Sequence, residues 1–293
     1  RQDSFTRDRF HGNPAGVVPD AKGLTDEQML RIARELNNSE TAFMFETDSP
    51  DYDIEVRFFT PTTEVPICGH ATIAAHYVRA KERNMEGGTV IQKTKAGILP
   101  VEVVRTLSDY SITMTQGTPA VSAPFGDTVR ERIADALGIA HEEICREYPV
   151  AVASTGHSKV MVPLYSNELL HGLRPDLQKL TKISKQIECN GYYVFTLNPQ
   201  NKILVHGRMF APAIGIAEDP VTGNANGPLG AYLVHFNILQ EEDAPCFDFD
   251  ILQGEAIKRD GTMHVHVEKE HGAPKLVQIT GNAVIAFSTE ITI

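Results

Sequence analysis

One pattern occurs twice in this chain, and that repeat restricts its possible folds more than any other feature. Residues 57–61 read Arg-Phe-Phe-Thr-Pro and residues 208–212 read Arg-Met-Phe-Ala-Pro. After each comes a loop, then a glycine opening a helix rich in small residues, Gly69-His-Ala-Thr-Ile-Ala-Ala and Gly223-Asn-Ala-Asn-Gly-Pro-Leu. The second loop is three residues longer. Chance resemblance between two strand-to-helix junctions is the competing explanation. In a chain of 293 residues, two halves of about 150 residues each make a duplicated domain the better reading.

The local signals agree. Thr25 lies three residues before Gln28, the spacing of a capping box, and Met29, Ile32, Ala33 and Leu36 follow at helical period. Residues 39–46 and 53–59 read as strands, and the helix opened by Gly69 is expected to bury one face through Ala71, Ala74, Ala75 and Val78. Residues 98–105 and 110–115 read as paired strands. A new unit opens within 116–124, with a helix marked by Val129, Ile133, Ala136 and Leu137. Strands at 149–153 and 158–164, a helix at Leu177, Leu180 and Ile183, strands at 191–197 and 203–209 and a helix at about 224–236 follow. The tail is strand-like.

Composition removes several classes of function. The net charge is −11 and no Lys/Arg-rich run occurs, which disfavours nucleic-acid and anionic-membrane partners. No apolar run approaches the roughly 18–20 residues that span a bilayer, and the polar start RQDSFTRDRF lacks a signal-peptide pattern. Cys68, Cys145, Cys189 and Cys246 are widely spaced without a CxxC, a pattern of reduced thiols in a cytoplasmic protein. There is no GxGxxG after a strand, no GxxxxGK[ST] and no GxSxG. Chemistry by side chains alone, with no cofactor and no metal, is therefore expected.

The candidate residues sit at element ends. Glu40 begins a mostly apolar strand, where partial desolvation would suit general acid–base work; an exposed loop carboxylate is the plain alternative. His70 stands at a helix start, where a neutral imidazole could donate or accept a proton. Asp219 precedes a proline and serves a turn or a site; Glu218 beside it reads as a solvated carboxylate. Cys68 fits packing better than nucleophilic attack. His264 and His266 face one side of a strand, but no third metal ligand is evident nearby, and His141-Glu142-Glu143 lacks a second histidine. Helix starts at Gly69-His70 and Gly223-Asn224, if they face each other across a cleft, would hold a small carboxylate through free backbone N–H groups.

Taken in order, Gly12-Asn13-Pro14-Ala15-Gly16, Ser39-Glu40-Thr41-Ala42-Phe43, Cys68-Gly69-His70-Ala71-Thr72 and Glu218-Asp219-Pro220-Val221-Thr222-Gly223-Asn224-Ala225 resemble the PhzF family of phenazine biosynthesis over essentially the whole chain. The resemblance implies an α+β, duplicated diaminopimelate epimerase-like fold: two lobes, each a curved, barrel-like sheet around a central helix. Residues 1–116 plus 281–293 would form one lobe and 117–280 the other. It further implies a homodimer and a cofactor-independent isomerase that moves a proton within a small carboxylated substrate. On that model Glu40 carries the proton, His70 and Asp219 assist, and Ser39, Gly69, Ala71, Gly223 and Asn224 line the substrate site. Asn224 stands where the family has serine, so the substrate need not be the dihydro-hydroxyanthranilate that PhzF isomerises. Related epimerases and proline racemases use two cysteines. Here Cys68 takes the first position and Thr222 the second, and a threonine hydroxyl is no thiolate base. An epimerase using Cys68, and a binding protein without turnover, are the alternatives.

Overall fold

The computed structural model describes residues 1–107, 109–239 and 244–292. The chain divides into two compact units, Arg1–Thr115 with Thr280–Ile293, and Gln116–Ile279. The first holds β1 (Gln2–Ser4), β2 (Asn13–Val18), α1 (Asp26–Leu36), β3 (Thr41–Glu46), β4 (Ile54–Phe59), β5 (Glu64–Val65), α2 (Gly69–Glu82), β6 (Gly88–Thr94), β7 (Gly97–Arg105) and β8 (Tyr110–Thr115). The second holds β9 (Ala120–Val121), α3 (Asp127–Leu137), β10 (Ala151–Ser154), β11 (Ser158–Pro163), α4 (Asn167–Gly172), α5 (Leu177–Ile187), β12 (Tyr192–Leu197), β13 (Ile203–Ala211), β14 (Ile216–Asp219), α6 (Gly223–His235), β15 (Cys246–Gln253), β16 (Gly261–Glu270) and most of β17 (Ala273–Gly281). The last strand, β18 (Ala283–Ile285), belongs to the first unit.

Strand pairing confirms the duplication. In the first unit the order is β18–β1–β2–β3–β4–β6–β7–β8, with β2–β3 and β4–β6 parallel and the rest antiparallel. In the second it is β9–β10–β11–β12–β13–β15–β16, with β11–β12 and β13–β15 parallel and the rest antiparallel. The parallel steps need crossovers, supplied by α1 and α2 in one unit and by α4–α5 and α6 in the other. The capping box at Thr25 and Gln28 forms as the sequence suggested.

The central helices differ from expectation. In α2 every residue from Gly69 to Ala80 is buried, not one face alone. Nearly all of α6 is buried too. A helix enclosed by a curved sheet has no solvent side, so small residues replace the usual polar stripe and the periodicity signal fades. His76 is wholly buried on α2 and its ring pairs with Gln92 at 3.0 Å. Burial disfavours the imidazolium and pushes its pKa down to about 4. Among the described residues, no helix is long and apolar enough to cross a membrane.

Candidate active site

The turn from α1 into β3 places Glu40. Asn37 ends α1 in the left-handed region, with φ 48°, and reverses the chain. The Gly16 N–H then donates to the Glu40 carbonyl at 3.1 Å, fixing the residue just before β3. Its side chain is 18% exposed, so it is not a free loop carboxylate.

Cys68 is the extended N-cap residue of α2, and His70 lies in its first turn. Thr72 Oγ1 donates to the Cys68 carbonyl at 2.7 Å, and Ser4 Oγ donates to the His70 carbonyl at 2.7 Å. Held this way, His70 Nε2 is 3.4 Å from Glu40 Oε2 and 3.2 Å from Ser39 Oγ. Its Nδ1 is 3.4 Å from Cys68 Sγ. The imidazole thus sits between a carboxylate and a thiol, and either tautomer finds partners. If Nε2 carries the proton it donates to the Glu40 carboxylate; if Nδ1 does, Nε2 accepts from Ser39 or from a protonated Glu40. The buried atoms Asn38 Nδ2 and Thr41 Oγ1, close to Glu40 in sequence, have no hydrogen-bond partner among the described residues.

Of the other expected residues, Gly69 shares this helix start, while the Ala71 side chain is packed in the core and offers only its backbone. Asp219, Gly223 and Asn224 lie in the second unit. Asp219 ends β14; its carboxylate accepts from Thr222 Oγ1 and its carbonyl accepts from Gln253 Nε2 at 2.9 Å. Gln253, fully buried, also accepts from the Thr222 N–H at 3.1 Å and from Asn226 Nδ2 at 2.9 Å. One amide thereby fastens the whole Asp219–Thr222 turn to α6. A Cβ on Gly223 would come within 2.5 Å of Ile279 Cδ1, so any larger residue there makes that side chain shift.

Glu218 is a correction: it is no solvated carboxylate. Arg208 Nε and Nη2 grip it at 2.9 and 2.7 Å, with both side chains at least seven-eighths buried (7% and 12% exposed). The Arg208 guanidinium lies 5.0 Å from the Phe210 ring centre. Arg57 does the same in the first unit. It grips Glu64 with two bonds of 2.8 Å and lies 5.2 Å from the Phe59 ring centre. The Arg57 hydrogen bonds hold the Glu64 carboxyl below its usual range, with Lys95 adding to them against burial. The repeated Arg-x-Phe string is therefore a clamp on the turn before each central helix. A signal for its partner was present in the sequence: Glu64-Val-Pro-Ile-Cys-Gly and Glu218-Asp-Pro-Val-Thr-Gly share their spacing. By this alignment Cys68 matches Thr222, and both are N-cap residues.

Two units of this topology, with a histidine and a carboxylate gathered at one helix start, define a diaminopimelate epimerase-like isomerase. Residues 2–289 match the model of the PhzC-PhzF family, described as phenazine biosynthesis-like protein, and the chain belongs to that family. It is 53% identical over 292 residues to an uncharacterized isomerase of Clostridium acetobutylicum, covering 99% of this chain and 96% of the relative. It is 49% identical to the uncharacterized isomerase YddE of Escherichia coli K12, covering 98% and 96%. At 30% identity, with 96% and 94% covered, it resembles the trans-2,3-dihydro-3-hydroxyanthranilate isomerase of Pseudomonas chlororaphis. Among solved structures, a Bacillus anthracis PhzF-family protein superposes with a TM-score of 0.90 at 33% identity, covering 100% and 97%. A probable proline racemase of Agrobacterium radiobacter shares the fold, with a TM-score of 0.64 at 13% identity, covering 100% and 92%. The chain is an enzyme of the isomerase class.

Proposed function

We propose that this isomerase moves a proton within a small carboxylated metabolite, using Glu40 as the acid–base group and no cofactor. The observation that carries this reading is the 3.4 Å contact between Glu40 Oε2 and His70 Nε2 at a helix start. A group that first takes and later returns a proton needs a neighbour suited to both of its states. The imidazole meets that need, donating to the carboxylate and accepting from the carboxylic acid. In the reaction, Glu40 takes a proton from one carbon, the double bond shifts, and the proton returns to another carbon. No electrons leave the substrate. The free N–H groups of the first turn of α2 support negative charge in the transition state. Asp219, Gly223 and Asn224 enter the proposal through the family resemblance alone.

The test is proton exchange in D2O. Trans-2,3-dihydro-3-hydroxyanthranilate, the compound in the name of the Pseudomonas chlororaphis relative, is the first probe, followed by other small cyclic carboxylates. Turnover with deuterium uptake is expected for a carboxylated compound, and Glu40→Gln should lower it at least about 100-fold. Equal rates in wild type and Glu40→Gln would defeat the assignment.

A second reading rests on the 3.4 Å contact between Cys68 Sγ and His70 Nδ1. It makes Cys68 one base of an epimerase, with the thiol proton passing to the imidazole. Loss of activity in Cys68→Ser but not in Glu40→Gln would favour it.

A further inference from the structure

The outer face of the β15–β16 ribbon gathers five side chains able to bind metal. The strands are antiparallel, with Asp248 opposite His266, Asp250 opposite His264 and Cys246 opposite Glu268. Alternation turns Phe249, Ile251, Met263, Val265 and Val267 into the core, and leaves Cys246, Asp248, Asp250, His264 and His266 on the other side. The third ligand that His264 and His266 lacked in the linear sequence comes from the neighbouring strand.

The hydrogen-bond pattern of this face calls for positive charge, on an imidazole or on a bound cation. Asp248 Oδ1 lies 2.7 Å from His266 Nδ1 and 3.2 Å from His264 Nε2. Asp250 Oδ1 lies 2.8 Å from His264 Nδ1. A neutral imidazole has a single N–H. His264 meets a carboxylate oxygen at both ring nitrogens, so one contact sets a lone pair against an anion unless a positive charge intervenes. Asp250 on Nδ1 turns His264 so that its Nε2 faces Asp248, the place of an outer imidazole that orients a metal-binding carboxylate. Ligand atoms of Cys246, Asp248 and His266 all lie within 4.8 Å of one another. The contrast with His171, His206 and Glu255 is instructive. There both imidazoles contact the same Glu255 oxygen, at 3.2 and 2.7 Å, and each can simply donate to it.

We propose that this ribbon face binds one divalent transition-metal ion of the zinc type, through Cys246, Asp248 and His266 with water in the fourth position, and with His264 orienting Asp248. A thiolate, an imidazole and one carboxylate, completed by water, form a tetrahedral set suited to Zn²⁺ and Co²⁺ and ill suited to Mg²⁺ or Ca²⁺. Tetrahedral ligand atoms sit roughly 3.3 Å apart for bonds of about 2.0 Å, so the Asp248–His266 contact need open only slightly. The Cys246 thiol loses its proton to solvent on binding. The site uses none of the residues assigned to proton transfer.

The whole chain, stripped with chelator and desalted, is titrated with Zn²⁺ by calorimetry and with Co²⁺ by absorption. The expected result is one saturable ion per chain, with a thiolate-to-cobalt charge-transfer band in the near ultraviolet. Cys246→Ser should abolish that band, His266→Ala should abolish saturable binding, and His264→Ala should weaken it by about 10- to 100-fold. His206→Ala should leave it unchanged. These side chains face outward, and unchanged metal-free thermal unfolding confirms that the variants fold. No saturable binding, or binding undiminished in His266→Ala, overturns the proposal; the face is then a protonated histidine–aspartate ladder.

Discussion

The two units share one plan but place different chemistry at matching positions. The Gly16 N–H donates to the Glu40 carbonyl, and the Val160 N–H donates to the Gly191 carbonyl in the same place of the second unit. The matching registers Gly16↔Thr41 and Val160↔Tyr192 make Gly191 the counterpart of Glu40. A Cβ on Gly191 would lie 3.0 Å from Lys159 Cδ. The second unit therefore has a buried lysine beside the position where the first has its acid. Burial lowers the Lys159 pKa, with Cys189 and Asp219 opposing that shift. Along the central helices, His76 of α2 matches Gly230 of α6, where a Cβ would press on Val265 and Val267. Duplication kept the strand order and the arginine clamp, because both serve the fold. The positions that only line the helix start or its interior diverged.

The largest expected contrast is in activity. Glu40→Gln should reduce turnover by about 10²–10⁴-fold, whereas a change confined to the clamp should act chiefly on stability. Steady-state rates on any substrate found in the exchange assay check this.

Next come the clamps themselves. Glu218→Ala strands a buried arginine and should cost about 3 kcal/mol in urea unfolding. Glu64→Ala should cost less, about 1 kcal/mol, because Arg57 keeps Asp26 at 2.7 Å and is more exposed than Arg208. Equal losses would show that the clamps are not graded by burial.

Acid should weaken the first unit through His76. Its folded pKa, about 4, lies below the ordinary histidine value of about 6.5, so the unfolded chain binds the proton first. Stability is unaffected above about pH 6.5 and falls as pH drops from there toward 4, by on the order of 3 kcal/mol. His76→Gln, compared with wild type by denaturant unfolding at pH 7 and pH 4.5, should flatten that slope.

The smallest effect is expected at Lys159. Lys159→Met removes a desolvated ammonium that donates to the Ser158 carbonyl at 3.1 Å, so thermal unfolding should change by less than about 1 kcal/mol, in either direction. A fall in turnover without loss of stability would assign this lysine to the reaction and show that the counterpart of the Glu40 position also carries acid–base chemistry.

Much of this was legible in the amino-acid order. The duplication, the helix starts at Gly69 and Gly223 and the capping box depend on local spacing and on glycine, proline and period, which neighbours in sequence determine, whereas Glu40 stood out through the family resemblance and not through its local sequence. What only the tertiary structure decided involves partners far apart in the chain. Gln2 pairs with Ile285, Ser39 meets His70 across 31 positions, and Asp248 stands opposite His266. Burial of α2 on all sides, and of Glu218 in a clamp, came from the same source. Strand register and the closing of a sheet around a helix are set by long-range pairing and packing. No short stretch of sequence encodes which distant strand will lie alongside it.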